Sequence, residues 1–323
     1  MTTAAALLQG IQPKEYDADK AFGLSLAGGK VTGYADASPY TPQRDETYLF
    51  HESSLDIALW FISSTEPLYV FGPTGSGKTS CVCQLASRIN YPVFEITGHA
   101  RLEFPELVGH LAVRQGTMDF DYGPLALAMK YGGIFLLNEI DLLDPGTAAG
   151  LNSVLDGSPL CIPEQGGELI VPHPMFRFVA TANSNGGSDE TGLYQGVLRQ
   201  NLAFMDRFWL CQVEYPSPEA EEKLLTALAP SIPPAIIKKM VQFAGNIRQQ
   251  FMSEADNHNG NGVEVTFSTR TLIRWAKMIG YYRPVSKNAH EAIPKALDRA
   301  LGFRANRETQ AILHELAQRV FGE

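Results

Sequence analysis

Short apolar runs alternate with stretches of helical period up to about residue 215, and beyond that point only helical periodicity remains. Five runs rich in β-formers read as buried strands: Leu68-Tyr69-Val70-Phe71, Val93-Phe94-Glu95-Ile96, Ile134-Phe135-Leu136-Leu137, residues 176–183 and residues 209–214. Helical spacing precedes the first run, with Leu55, Ala58, Leu59 and Ile62 on one face, and follows it, with Val82, Leu85, Ala86 and Ile89 on one face before Asn90-Tyr91-Pro92 stops the helix. Strands interleaved with helices predict an α/β domain with a parallel sheet. Two segments alternate apolar and polar residues instead. Residues 110–122 do so around Gln115-Gly116, and Leu160-Cys161-Ile162 and Glu168-Leu169-Ile170-Val171 flank Pro163-Glu164-Gln165-Gly166-Gly167. Both predict inserted hairpins, the first a candidate for contact with another molecule.

The pattern divides the chain in three. Residues 1–46 form an extension in which Phe22-Gly23-Leu24-Ser25-Leu26 and Lys30-Val31-Thr32-Gly33-Tyr34 flank Ala27-Gly28-Gly29, a predicted hairpin, with Pro39-Tyr40-Thr41-Pro42 as a linker. Residues 47–215 carry the α/β pattern. In residues 216–323, Pro216-Ser217-Pro218 opens the first helix with a cap and a proline at its start, and Ile236, Met240, Phe243, Ile247 and Phe251 recur at helical spacing. Asn185-Gly186-Gly187-Ser188-Asp189 and Asn257-His258-Asn259-Gly260-Asn261-Gly262 read as solvated loops.

Composition narrows the class without changing this picture. The 323 residues are 45% hydrophobic and 19% charged, ordinary values for a globular chain. A net charge of -9 and a pI near 5.3 lack the basic footprint that nucleic acid or anionic lipid requires, so a protein partner is the better expectation. Cys81, Cys83, Cys161 and Cys211 form neither a C-x-x-C pair nor a metal-ligand spacing and read as core thiols in a reducing compartment. Ala4-Ala5-Ala6-Leu7-Leu8 lacks a basic flank and is too short for a membrane anchor, so the expected location is cytoplasmic.

Chemistry enters at Gly72-Pro73-Thr74-Gly75-Ser76-Gly77-Lys78-Thr79, which fits G-x-x-x-x-G-K-[ST] directly after the first strand and runs through Ser80 into a helix. Such a loop turns backbone N–H groups onto phosphate, its lysine adds charge, and its threonine hydroxyl can ligate Mg²⁺. A glycine turn between core elements, the bland reading, needs no Lys-Thr. The third strand ends in Asn138-Glu139-Ile140-Asp141, at the sheet edge where ligands of open α/β sheets sit, and an acidic pair there normally holds Mg²⁺ and polarises water. Tyr48 or Phe50 could pack on a nucleotide base or belong to the core.

The ordered set of the loop, Leu137-Asn138-Glu139, Thr181-Ala182-Asn183, Asp206-Arg207-Phe208 and Ser268-Thr269-Arg270 resembles the AAA+ ATPases, and the two hairpins point to the MoxR-like and chelatase branch. His173-Pro174-Met175-Phe176-Arg177, Thr191-Gly192-Leu193-Tyr194-Gln195-Gly196, Met205-Asp206-Arg207 and Arg270-Thr271-Leu272-Ile273-Arg274-Trp275-Ala276 are similar to the ATP-hydrolysing small subunit of aerobic cobaltochelatase, the CobS type. The resemblance implies a five-stranded sheet of order 5-1-4-3-2 with a C-terminal helical lid. It implies ATP and Mg²⁺ held by residues 72–80, with Lys78 and Thr79 on phosphate and metal and Asn138 reaching Mg²⁺ through water. Glu139 would orient the attacking water, Asn183 would be the sensor-1 amide, and Arg270 would lie at sensor 2. Arg207 would be the arginine finger, reaching a neighbour's site in a hexameric ring; the alternative for it is a salt bridge to Asp206 or to a helix end. A partner with a von Willebrand A domain is implied as well.

One position departs from the family pattern, which usually has Asp where this chain has Asn138. An amide brings no negative charge, so weaker Mg²⁺ binding and a slow ATPase are expected. Three readings stay open: an ATP-driven motor that remodels a partner protein, a nucleotide-gated assembly module without hydrolysis, and a nucleic-acid motor of the restriction type. The acidic charge disfavours the last.

Overall fold

The computed structural model describes residues 8, 10–114, 116–187, 196–255, 265–285 and 289–322. Gln115, Ser188, Asp189, residues 191–195 of the chelatase-like run and the 257–262 loop lie outside them.

The chain opens with a two-stranded antiparallel sheet, β1 (Pro13–Asp17) on β2 (Lys30–Tyr34), with the helix Ala18–Phe22 between them. This corrects the expected hairpin: the partner of Lys30–Tyr34 is Pro13–Asp17, and Phe22 and Leu26 turn into the core. Asp17 caps the short helix through the N–H of Lys20 (3.0 Å), which ends the strand where the apolar run begins. The sheet packs behind the helix Lys78–Arg88, with the Tyr34 N–H donating to Ile89 O (2.9 Å) and the Tyr34 hydroxyl to Gly132 O (2.9 Å). Nor is Tyr40 in a free linker, for its ring lies 4.8 Å from that of Phe94 and its carbonyl accepts from the Val93 N–H.

The central sheet holds β3 (Leu68–Phe71), β4 (Val93–Thr97), β7 (Ile134–Asn138), β10 (Arg177–Ala182) and β11 (Trp209–Gln212). All pairings are parallel and the order is β11-β3-β10-β7-β4, which is the 5-1-4-3-2 order. Helices cover both faces, so the strands read as continuous apolar runs whose alternate residues enter different cores. Tyr69, Phe135, Leu137 and Phe178 pack on one side, and Leu68, Val70, Leu136 and Val179 on the other. Within the second core, the helix Glu52–Ser63 buries Ile57, Ala58, Trp60 and Phe61 and leaves Leu59 exposed. Leu55, Ala58 and Ile62 of the expected face meet this core and Leu59 alone does not, because Trp60 and Phe61 widen the face away from it and offer far more area to bury.

β5 (Gly109–Arg114) with β6 (Thr117–Tyr122), and β8 (Leu160–Ile162) with β9 (Glu168–Ile170), form the two inserted hairpins. From Pro218 onward the described residues are helical apart from short connections, and their core is centred on Phe243, Phe267, Trp275 and Phe321. No helix among the described residues is long and apolar enough to cross a membrane.

Candidate functional site

Register decides what meets at the sheet edge. Phe71 pairs with Ala182, Thr97 with Asn138 and Ala180 with Leu137, so β3, β4, β7 and β10 end at one level. The residues just past those ends, Gly72, Glu139 and Asn183, therefore gather there. A cleft of about 300 Å³ opens at this edge, lined by Thr74, Gly75, Gly77, Lys78, Thr79, Ser80, Glu95, Thr97, Asn138, Glu139, Thr181, Ala182, Asn183 and Arg270.

The loop Gly72–Gly77 wraps the start of the helix Lys78–Arg88, whose cap Gly77 has φ 96°. Lys78 Nζ donates to Gly72 O (2.7 Å), Pro73 O (3.0 Å) and Asn183 Oδ1 (3.1 Å), so the lysine bridges the loop to the end of β10. Burial pulls its ammonium down to about 8, with Asp141 and Glu139 opposing and Arg270 adding to the effect. The Ser76 hydroxyl, on a side chain almost wholly buried, has no partner among the described residues.

Around Asn138 the polar contacts are dense. Thr79 Oγ1 donates to Asn138 Oδ1 (2.6 Å), Thr181 Oγ1 donates to the same oxygen (2.9 Å), and Asn138 Nδ2 donates to Glu95 Oε1 (2.7 Å). Glu139 follows with φ 54°, a left-handed turn rare for a non-glycine residue, which leaves its carboxylate exposed in the cleft. Asp141 is fully buried, and its Oδ2 accepts from the N–H groups of Asn183 (2.9 Å) and Ser184 (3.2 Å). Burial raises the Asp141 pKa. The Tyr69 hydroxyl donates to Ser184 O (3.1 Å), so the turn carrying Asn183 is held both from β3 and from the turn after β7.

Beside the cleft lies a second cavity of about 460 Å³, which shares Gly75, Gly77, Thr79, Ser80 and Arg270 with it and adds Tyr48, Leu49, His51, Pro216, Leu224, Leu228 and Ile273. Tyr48 lines it, whereas Phe50 packs on the core and on the Arg88 guanidinium. Burial lowers the His51 pKa, and its buried Nε2 has no partner among the described residues.

Lid and loop meet closely. Tyr215 donates to Thr74 O (2.9 Å), and a Cβ on Gly75, whose φ is +70°, would stand 2.6 Å from Ser268 Cβ. Arg270, in the first turn of the helix Thr269–Tyr282, reaches both cavities. Behind it, Arg248 makes two hydrogen bonds to the buried carboxylate of Glu221 (2.8 and 2.9 Å), donates to Phe267 O (2.7 Å) and stacks on Tyr215 (4.1 Å), while Thr269 Oγ1 donates to Glu221 (2.6 Å).

Every residue expected at the site is thus at or beside the cleft except Arg207. Its Nε and Nη2 donate to Asp156 (2.7 and 3.1 Å), its Nη1 donates to Ala203 O, and it lines a separate small cavity. The ion pair is with Asp156, not with Asp206. Sequence reading missed Glu95, Thr181 and the Glu221–Arg248 pair. Glu95 did leave a signal, as a carboxylate inside an otherwise apolar strand.

Residues 67–208 match the AAA domain of the dynein-related subfamily, and residues 221–320 match the CbbQ/NirQ/NorQ C-terminal family. The aerobic cobaltochelatase subunit CobS of Sinorhizobium sp is 30% identical over 258 residues, 77% of this chain and 75% of that protein. The denitrification regulatory protein NirQ of Stutzerimonas stutzeri is 31% identical over 251 residues, 77% and 82% of the two chains. Among solved structures, a RuvB variant from Thermotoga maritima superposes with a TM-score of 0.52 at 14% identity, covering 83% of this chain and 76% of that one, a likeness of fold alone.

Proposed function

We propose, from the premise that this chain belongs to the AAA+ ATPases of the MoxR-like and chelatase branch, that it hydrolyses Mg-ATP and uses the cycle to remodel a partner protein. The observation that carries this reading is the convergence of Lys78, Thr79, Glu139, Asn183 and Arg270 on one cleft. Phosphoryl transfer needs positioning and charge compensation more than covalent help, and these residue types supply both. Backbone N–H groups of 72–80 and the Lys78 ammonium would hold the phosphates, while the base would enter the second cavity beside Tyr48. The Glu139 carboxylate, exposed at the cleft, would orient the attacking water. Asn183 would contact that water or the terminal phosphate, positioned by Asp141.

The donor set fits Mg²⁺. Thr79, Glu95 and Glu139 offer hard oxygens in one cleft, and no described cluster of three or more His, Cys, Asp and Glu could hold a metal without the nucleotide. Bound there, the cation would neutralise phosphate charge as the reaction proceeds.

Arg207 is absent from its own subunit's cleft, which supports a role in the neighbour's. Leu202, Trp209 and Leu210, on the same stretch of chain, are exposed apolar residues of the kind a subunit interface covers. A head-to-tail contact of this sort closes into a ring, here a hexamer by family resemblance. The hairpins, with Val113, Met118, Leu169 and Val171 exposed, would meet the client, a von Willebrand A domain protein. Free cysteines suit a cytoplasmic location.

Asn138 favours one rival, a nucleotide-gated module without turnover. Phosphate release from purified protein with Mg-ATP and partner separates the two: turnover that falls at least about 100-fold in Glu139→Gln supports the motor. ATP binding without phosphate release in the wild type supports the rival.

A further inference from the structure

We propose that Glu95 takes over, from the adjacent strand, the negative charge that Asn138 does not bring to the metal-binding layer, so that Thr79, Asn138 and Glu95 act there as one unit. The inference rests on the nucleotide-site reading above. Its geometry is a chain of three side chains: Thr79 Oγ1 to Asn138 Oδ1 at 2.6 Å, and Asn138 Nδ2 to Glu95 Oε1 at 2.7 Å.

Donor and acceptor chemistry fixes the sense of that chain. A carboxylate can only accept, so the amide must turn its N–H toward Glu95 and its oxygen toward Thr79 and Thr181. Both hydroxyls donate to that oxygen, which fills its two lone pairs. Asn138 therefore has no acceptor left for metal-bound water. Thr79, by contrast, spends its proton on Asn138 and keeps lone pairs for the cation. Glu95 keeps a second oxygen that makes no hydrogen bond among the described residues, and it lines the same cleft. Its register explains why it can do this. Glu95 and Thr97 project to the same face of β4, and Thr97 pairs with Asn138 at the strand end.

The layer thus keeps its one negative charge, moved one strand sideways and joined to the ordinary position by a hydrogen-bonded amide. Glu95 is exposed on β4, so its carboxylate stands ionised at the cleft without a burial cost, and a cation beside Thr79 would use its charge. Asn138→Asp in an otherwise unchanged chain would set two carboxylates within hydrogen-bond distance, and one would have to take up a proton. The two positions should therefore be complementary: one acid and one amide, in either order.

Mn²⁺ is the probe, titrated into the protein–ADP complex and followed by electron paramagnetic resonance, with ADP affinity measured separately in EDTA. Glu95→Gln should weaken Mn²⁺ binding on the order of tenfold or more while leaving metal-free ADP affinity unchanged, which also shows that the variant is folded. The exchanged pair, Glu95→Gln with Asn138→Asp, should recover most of the lost Mn²⁺ affinity. Equal Mn²⁺ affinity in wild type and Glu95→Gln would overturn the inference alone. Absence of ADP binding by the wild type, with or without Mn²⁺, would overturn the nucleotide-site reading and the inference with it.

Discussion

Lys78 shows how a single residue can carry both binding and a pH signature. Burial holds its ammonium near 8, below the ordinary lysine value of 10.5, so above about pH 8 the folded protein binds this proton less well than the unfolded chain does. Nucleotide phosphates favour the charged form and must raise that value. Binding of ATP at pH 8.5 to 9 should therefore take up a proton, and affinity should fall as pH rises through 8. Calorimetry in buffers of different ionisation enthalpy checks this, and Lys78→Met should abolish the uptake. At this scale the loop residues and Glu139 were legible, because glycine, lysine and acid at fixed spacing carry their own chemistry. Thr181 was not, and Glu95 showed only as an acid in an apolar run, because both join the site through register, which pairs Thr97 with Asn138 and aligns β10 with β7. Arg207 was legible as a residue but not in its contact, since Asp156 lies 51 positions away in the chain.

Among the elements, the lid helices are locked by charge as well as by apolar packing. Glu221 is 1% exposed and its carboxylate is held by Arg248 and Thr269. Removing one partner of a buried pair leaves an uncompensated charge, so Arg248→Met should cost roughly 3–5 kcal/mol in denaturant unfolding, with part recovered by adding Glu221→Leu. Arg270 lies in the first turn of the helix that Thr269 begins and ties to this pair, so the single variant should also weaken ATP binding. The hairpins are tied together too. Lys130 Nζ donates to the Tyr122 hydroxyl (2.8 Å) and to Glu168 (2.7 Å), and Tyr122 donates to Glu168 (2.5 Å), which joins the end of β6 to β9. Apolar runs and turn residues made the five strands and both insertions visible in the sequence. The first hairpin was misread because Pro13–Asp17 is polar and mostly exposed, and pairs through its backbone. On Glu52–Ser63 the expected Leu55, Ala58 and Ile62 meet the core, and only Leu59 was misplaced, because helical period alone does not weigh Trp60 against Leu59.

For the whole molecule, we propose that the catalytic site is shared between subunits. The cleft is lined by Arg270 but not by Arg207, whose guanidinium is held by Asp156 away from it. An arginine finger supplied in trans is worth about 10³–10⁵ in rate, so Arg207→Ala and Glu139→Gln should each be nearly inactive alone. Arg207→Ala keeps an intact cleft, and Glu139→Gln keeps an intact arginine. The decisive measurement is phosphate release from these two inactive variants mixed after disassembly and reassembled together. A shared site predicts that the mixture regains activity well above the sum of its parts, because some interfaces then pair an intact cleft with an intact arginine. Activity no greater than that sum, in mixtures shown to co-assemble, would contradict it.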